Sequence, residues 1–252
     1  MLNNSFLFLQ GIGKKLEQNL YKQGISDWKS FLETKNIPGI SSKRKWYYDR
    51  QLEKARSALY QNNSTFFNLP SSENWRLYEQ FRDEAVFLDI EATGVSRFDD
   101  ITLVGLYDGT ETKTMINMDP KALKRELEKY QLIVTYNGAT FDLPYISKRY
   151  PKLLPDIPSF DLRSACQRVG LAGGLKLVEK QLGINRKNKI VEKMYDGDPL
   201  SLWKMYKGSG DEYYLKLLIE YNEEDVINLK PIADHVCPKL KSLTLNNTSR
   251  FL

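Results

Sequence analysis

The sequence contains a single histidine, His235, among its 252 residues. One imidazole excludes zinc sites that use several histidines and leaves a histidine-based catalytic triad only one candidate. Cysteine is nearly as scarce, because Cys166 and Cys237 are the only two and lie far apart in the sequence. Two such cysteines cannot form a disulfide framework, and they fit a reducing compartment. We therefore expect any chemistry to depend on carboxylates.

Long hydrophobic runs are also absent, because no apolar stretch approaches the roughly 18 residues that a membrane span requires. The N-terminal residues lack the basic region and cleavage site of a signal peptide. These features predict a cytoplasmic protein with no membrane partner. The sequence does carry many charges of both signs, with 37 Lys and Arg against 32 Asp and Glu. The net charge of +5 is compatible with an anionic partner but does not require one.

The pattern of apolar residues divides the chain into successive regions. Residues 1–65 carry apolar side chains at helical spacing and few strand signals, which predicts a small all-α domain. Residues 66–84 are predicted to form a linker or arm, because the segment from Pro70 to Glu84 has few strongly apolar residues and looks irregular. Residues 85–240 alternate apolar strands with helical segments, which predicts an α/β domain. Residues 241–252 are assigned to a C-terminal tail.

The α/β region contains near-continuous apolar runs bounded by turn residues, and these runs predict buried strands. The predicted strands are residues 85–90, 101–107, 113–117 and 132–136. Helices are expected at residues 120–130, from 141 onward, and at 161–169, 174–182, 200–206 and 211–230. Pro231 is expected to kink or end the last helix, because proline lacks the amide hydrogen that continues a helix. Four tryptophans are expected to pack in the core or between domains, namely Trp28, Trp46, Trp75 and Trp203.

Two acidic residues end the first predicted strand. Asp89 and Glu91 are two positions apart, so their side chains point to the same face of the strand. Buried carboxylates without partners are costly, and a divalent cation such as Mg²⁺, which prefers oxygen ligands, is one such partner. A solvated strand end with two acids is the alternative that this pair alone leaves open.

Two later segments carry further candidates. Asn137 follows a predicted strand, and Asp142 lies near the next helix start, where a carboxylate is also a common cap. Tyr221 and Asp225 lie four apart in the last long helix and share one face, as ordinary solvated residues also do. Each segment alone has a simpler explanation. Together with the strand pair, they place a set of carboxylates and a phenol in one α/β domain.

The order of these segments resembles the DEDD superfamily of 3′–5′ exonucleases, which share a ribonuclease-H-like fold. Asp89 and Glu91 match the Asp-x-Glu of its first motif, and Tyr221 with Asp225 matches the third motif of its tyrosine branch. The histidine branch would require a histidine where Glu220 stands. The resemblance implies an α/β fold with a ribonuclease-H-like mixed sheet flanked by helices.

The second motif points to a more specific group within this superfamily. Asn137, Phe141 and Asp142 are arranged as in the exonuclease domains of family-B DNA polymerases. The N-terminal run from Gly11 to Gly13 looks like that of free-standing prokaryotic ribonuclease-H-like proteins, which carry a helix-hairpin-helix-like segment. The resemblance therefore covers essentially the whole chain.

The resemblance also implies roles for the acidic residues. Such a site uses two divalent ions, Mg²⁺ or Mn²⁺, beside the scissile phosphate. Asp89 would bridge both ions, with Glu91 and Asp225 completing the first. Asp142 would support the second ion, directly or through water. Tyr221 would hydrogen-bond and orient the attacking water. It would not be the nucleophile, because its ordinary pKa of about 10 keeps the phenol protonated.

Further residues are implied to contact the nucleic acid. Thr93 and Gly94 would place backbone amides near the terminal 3′-hydroxyl. Asn137 and Phe141 would contact the last base or sugar, although Phe141 also suits a core position. These contacts describe the end of a strand lying in the acidic site.

A second nucleic-acid contact is predicted in the N-terminal domain. Gly11 and Gly13 precede a helix whose exposed amides can receive a backbone phosphate. Lys14 and Lys15 follow, and they would add salt-dependent affinity that is independent of base sequence. A simple turn before a helix is the alternative.

Taken together, the residues predict a metal-dependent 3′–5′ exonuclease acting on single-stranded or frayed nucleic acid, with DNA favoured over RNA. Two alternatives remain open. One is a catalytically silent nucleic-acid-binding or scaffold protein, and the other is an endonuclease on the same core. Protein partners and oligomeric state are not predicted by the sequence.

Overall fold

A five-stranded sheet lies at the centre of the chain, in a computed structural model that describes residues 1–94, 99–187, 190–191 and 198–246. The strands are β1 (Ala85–Ala92), β2 (Ile101–Tyr107), β3 (Thr112–Ile116), β4 (Leu132–Thr135) and β5 (Ser159–Asp161). They lie in the order β3-β2-β1-β4-β5. β1 pairs antiparallel with β2 and parallel with β4, so the sheet is mixed.

Helices cover both faces of this sheet and form the N-terminal region. Before the sheet lie α1 (Lys14–Lys22), α2 (Trp28–Glu33), α3 (Ser42–Tyr60) and α4 (Trp75–Phe81). After β3 come α5 (Pro120–Leu127), α6 (Asp142–Arg149), α7 (Leu162–Arg168), α8 (Leu175–Leu182), α9 (Pro199–Ser209) and α10 (Glu212–Asn246). The predicted mixed sheet flanked by helices, with a helical N-terminal region, is confirmed. The short strand β5 was not predicted, because three residues are too few to show a period.

The side chains of β1 alternate between the two faces of the sheet. Val86 and Leu88 belong to the hydrophobic cluster that includes Leu123 of α5. Phe87 belongs to the opposite cluster, which includes Val226 of α10. Residues two apart on a strand share a face, so residues 89 and 91 lie on the same face of β1 as Phe87, beneath α10.

Helix α4 lies inside the segment that the sequence predicts to be a linker. Trp75, Leu77 and Phe81 are almost fully buried, in the same hydrophobic cluster as the N-terminal helices and one face of the sheet. Arg76 is also buried and forms ion pairs with Glu17 of α1 at 2.9 Å and with Glu73 at 2.8 Å. The segment is therefore part of the interior, whereas the division into domains stays a prediction.

Of the two outcomes expected at Pro231, a kink or the end of the helix, the second is wrong, because helix α10 continues past this residue. Ile232, Ala233 and Val236 are fully buried on its inner side. This packing offsets the hydrogen bond that proline removes. The first residues of the predicted C-terminal tail also belong to α10, which is described as far as Asn246. None of the helices in the described residues is long and apolar enough to cross a membrane.

Candidate metal centre

Strand β1 and helix α10 bring three carboxylates together. Asp89 and Glu91 follow Phe87 on the face of β1 that α10 covers, and α10 supplies Asp225. One carboxylate oxygen from each of these residues lies within 4.8 Å of the other two. Three carboxylate oxygens at this spacing can surround one hard divalent cation. The structure therefore gathers three of the four predicted acids into one group.

Asp142, the fourth predicted acid, lies beside this group. It is the first residue of α6 and is buried. Its Oδ1 atom accepts a hydrogen bond of 3.1 Å from the amide of Ile90, between the two acidic positions of β1. Asp142 is thus held against β1 by the backbone itself.

Asn222 fixes the orientation of Asp89, although the sequence did not single it out. Its Nδ2 atom donates a hydrogen bond of 2.8 Å to Asp89 Oδ2, and its side chain is fully buried. Gly105 on β2 pairs with Asp89 in the sheet, and a Cβ atom at Gly105 would overlap the Asn222 amide. A glycine is therefore needed at this position. Its position directly after Tyr221 is the one feature of the sequence that could have drawn attention to Asn222.

Arg186 supplies a buried cation on the other side of the group. Its Nε and Nη2 atoms donate to the two carboxylate oxygens of Glu179, each at 2.8 Å, and Nη2 also donates to Asp225. Asn228 donates to Glu179 at 2.9 Å. Arg186 lies in a stretch rich in Lys, Arg and Asn, which by itself predicts a solvated loop or one that follows phosphates. Its burial depends on contacts with distant elements, which local sequence does not show.

Tyr221 lies at the edge of the same group. The guanidinium carbon of Arg186 is 5.3 Å from the centre of its ring, and the ammonium of Lys176 is 4.8 Å away. Burial, followed by the charges of Asp225 and Glu91, raises the pKa of the phenol above its ordinary value. The phenol therefore keeps its proton at neutral pH and can donate a hydrogen bond.

The clustered carboxylates raise one another's pKa values. Burial is the largest cause at Asp89, whose pKa lies well above the ordinary value, and the charges of Asp142 and Asp225 add to it. Burial and the same two charges also raise the pKa of Glu91 well above its ordinary value. Burial raises the pKa of Asp225 to about 6, although Arg186 opposes the increase. Ionising these carboxylates together therefore costs free energy, which a bound cation would offset.

This electrostatic cost predicts a pH-dependent stability for the metal-free protein. Burial raises the folded-state pKa of Asp142 to about 6, against 3.8 for the ordinary group. The stability that this proton provides is complete below the unfolded value and is lost as pH rises through about 6. Asp142→Asn, which can still accept the hydrogen bond from Ile90, is expected to gain stability relative to wild type between pH 5 and pH 7.

Urea unfolding in the presence of a chelator, at several pH values, measures this difference. The comparison with Asp142→Asn cancels the contributions of ionisable groups that lie away from the acidic cluster. A difference in unfolding free energy that stays constant across this pH range would contradict the prediction. Added Mn²⁺ is expected to reverse the trend, because a bound cation favours the ionised carboxylates.

The residues predicted to contact the strand end are largely occupied within the protein. The Thr93 amide donates to the Asp100 carbonyl at 3.0 Å, between the end of β1 and the start of β2, so this amide is not available in the predicted role. Gly94 follows it as the last described residue before the gap. Asn137 has a positive φ of 66°, and its Oδ1 atom accepts a hydrogen bond of 2.8 Å from Arg163.

Phe141 and Asp161 lie near the same turn, which follows β4. Phe141 is partly buried, and its ring centre lies 5.6 Å from that of Tyr145, which fits the core alternative. Asp161 at the end of β5 accepts hydrogen bonds from the amides of Asn137 and Ala139 at 3.0 and 3.1 Å. Asp161 therefore shapes the second-motif turn, a role that the sequence did not predict because β5 was missed.

The predicted N-terminal phosphate site is only partly available. Gly11 has a φ of +85°, and Gly13 is the N-cap of α1. The Lys14 ammonium forms an ion pair of 2.6 Å with the buried Glu73, so this charge is already partnered. Lys15 is exposed. The phosphate-binding turn stays a prediction that rests on the amides and on Lys15.

Comparison with known proteins identifies the family. The family model described as the RNase_H superfamily matches residues 86–237, which include β1, α6 and the acidic part of α10. The chain belongs to the RNase_H superfamily. This RNase_H superfamily region contains all four predicted acids and Tyr221, and the helical N-terminal region precedes it. The predicted ribonuclease-H-like fold is confirmed.

One solved structure is similar to part of this chain. A family B DNA polymerase from the hyperthermophilic archaeon Pyrobaculum calidifontis is 18% identical to this RNase_H superfamily chain, with a TM-score of 0.48. The match covers 64% of this chain and 25% of the polymerase chain, so the chain corresponds to about a quarter of that protein. No curated protein matches the sequence.

Proposed function

We propose that this chain is a metal-dependent 3′–5′ exonuclease of the DEDD tyrosine branch, acting on single-stranded or frayed nucleic acid, with DNA favoured over RNA. The observation that carries the proposal is the meeting of Asp89, Glu91 and Asp225 within 4.8 Å of one another. Tyr221, one helical turn before Asp225, lies beside them. Membership in the RNase_H superfamily supports nucleic acid as the substrate.

The donor set fits divalent metal ions. All three grouped ligands are carboxylates, and burial together with neighbouring acidic charges raises their pKa values, an energetic cost that a bound divalent cation would offset. Asp89, Glu91 and Asp225 would hold one ion, and Asp142 with Asp89 would help to hold a second, either Mg²⁺ or Mn²⁺. Bound ions would supply charge stabilisation at the scissile phosphate and lower the pKa of a water.

The protein's own residues position this chemistry. Asn222 holds the Asp89 carboxylate from one side, and Arg186 holds Asp225 from the other. Tyr221 keeps its phenolic proton, so it can donate a hydrogen bond that orients a water molecule. These fixed partners reduce the reorganisation needed when a strand end enters the site.

Strands labelled at one end or the other test the proposal. With Mg²⁺ or Mn²⁺, a 5′-labelled strand should shorten stepwise, and a 3′-labelled strand should release its terminal nucleotide first. Matched DNA and RNA strands measure the substrate preference, with a chelator as the control. Internal cuts would instead support an endonuclease, and the absence of any cleavage would support a silent binding protein.

A further inference from the structure

Helix α3 exposes an aromatic and basic surface that is separate from the acidic site. Trp46 is 62% exposed and Tyr47 39% exposed, although the sequence placed Trp46 in the interior. Leu52 and Ala55 are fully buried on the opposite side of the helix, so α3 is firmly packed. The exposed indole therefore does not result from loose packing.

The exposed residues form one stripe along the helix. At 100° per residue, Lys43, Trp46, Tyr47, Arg50 and Lys54 lie within about a third of the helix circumference. We call these five residues the α3 stripe. Its length from Lys43 to Lys54 is about 17 Å at 1.5 Å per residue. All five are exposed.

The charge of the α3 stripe is of one sign. Lys43, Arg50 and Lys54 form no ion pair within the part of the chain that the structure describes. The guanidinium of Arg50 lies 4.8 Å from the centre of the Trp46 ring, so the cation and the indole share one site. A partner of opposite charge that also offers flat π faces fits this combination.

We propose that the α3 stripe binds single-stranded nucleic acid, with bases stacking on Trp46 and phosphates pairing with Lys43, Arg50 and Lys54. Single strands are favoured over duplexes because stacking on an aromatic side chain requires an unstacked base. A protein partner with acidic groups would satisfy the charges but not the need for π faces. The inference rests on the proposed function only in taking a nucleic acid as the partner.

The position of the α3 stripe is consistent with an extended strand contact. A Cβ atom at Gly11 would lie 2.7 Å from Nη2 of Arg44, which precedes Trp46 on α3. The start of α3 therefore adjoins the turn that the sequence predicts to bind phosphate. If one nucleic acid contacts both the α3 stripe and this turn, the two contacts would reinforce one another.

Tryptophan fluorescence tests this proposal directly. Trp28, Trp75 and Trp203 are buried, so an added strand can quench Trp46 selectively. The experiment uses the full chain with Asp89→Asn and a chelator, so that cleavage does not interfere, and titrates a short oligothymidylate. We expect quenching of Trp46 on binding. With the oligothymidylate carrying a dye, fluorescence anisotropy measures the affinity of the variants that lack Trp46, and we expect Trp46→Ala to weaken binding by about tenfold or more, with Trp46→Phe retaining most of it.

Charge-reversal variants test whether the cations of the α3 stripe themselves bind the strand or whether only the net charge of the protein matters. Reversing Lys43, Arg50 and Lys54 to glutamate should weaken binding. The plot of log affinity against log salt concentration should also become less steep, with the magnitude of its negative slope reduced by about 2. A matched control reverses the exposed Lys121, Lys124 and Arg125 of α5, which changes the net charge equally. Equal weakening by the two triple variants, unchanged Trp46 fluorescence, or equal competition by a duplex would each overturn the proposal.

The same measurements distinguish this inference from the proposed function. If the wild-type chain binds the strand through Trp46 but does not cleave it with Mn²⁺, the exonuclease assignment fails and the α3 stripe stands. If it cleaves strands while the α3 variants bind normally, the exonuclease assignment stands and the α3 stripe fails.

Discussion

Replacing Asp89 by asparagine is expected to reduce phosphodiester hydrolysis by at least about 10³-fold without unfolding the protein. The amide keeps the size of the carboxylate and can still accept the Asn222 hydrogen bond through its oxygen. It removes one negative charge from the group that we propose binds metal. The loss of several kcal/mol of transition-state stabilisation corresponds to this factor.

A thermal melt gives this variant a second readout. At pH 8 without metal, Asp89→Asn should melt at a higher temperature than wild type, because it relieves repulsion within a buried acidic group. The rise in melting temperature that Mn²⁺ causes in wild type should be lost. Asp83→Asn is the matched control, since the Asp83 side chain is 86% exposed. Activity of Asp89→Asn within tenfold of wild type would rule out its proposed role.

Replacing Arg186 by methionine is expected to reduce the free energy of unfolding by about 3–5 kcal/mol. The change leaves Glu179 and Asp225 buried without the guanidinium that they share. Removing one partner of a buried ion pair costs far more than losing an exposed pair, because the remaining charge is uncompensated. Arg186→Lys should recover part of the loss, since it keeps the charge but cannot form the paired hydrogen bonds.

Urea unfolding measures this effect, and a metal titration shows its relation to the site. Arg149→Met is the matched control, because Arg149 pairs with Asp100 at the surface and should cost no more than about 1 kcal/mol. Mn²⁺ should raise the melting temperature of Arg186→Met more than that of wild type, because a divalent ion can replace the missing cation at Asp225. An equal or smaller rise would show that Arg186 and the ion do not share this carboxylate.

Local sequence predicts part of the geometry of the acidic site. The spacing of Asp89 and Glu91 predicts a shared strand face, and the spacing of Tyr221 and Asp225 predicts a shared helix face. Both are consequences of backbone geometry over a few residues. That α10 covers this particular face of β1 follows only from the packed structure, in which Phe87 and Val226 belong to one cluster.

Other features lay beyond sequence reasoning for the same reason. Trp46 has the apolar character of a core residue, yet it lies on the outer side of α3. Trp75 lies in a segment with little periodicity, yet α4 is packed into the interior. In each case the burial depends on how the element is rotated against distant partners, which a short window of sequence does not contain.

The sequence by itself determined four of the five described strands, most of the described helices and the acidic positions on β1 and α10, because hydrophobic period and motif spacing are local properties. The tertiary structure alone decided the partners of those acids. Asn222 reaches Asp89 only because Gly105 leaves room on the neighbouring strand, and Arg186 reaches Asp225 only through the packing of α8 against α10. Such contacts join residues far apart in the chain, and their energies depend on burial that exists only in the folded state.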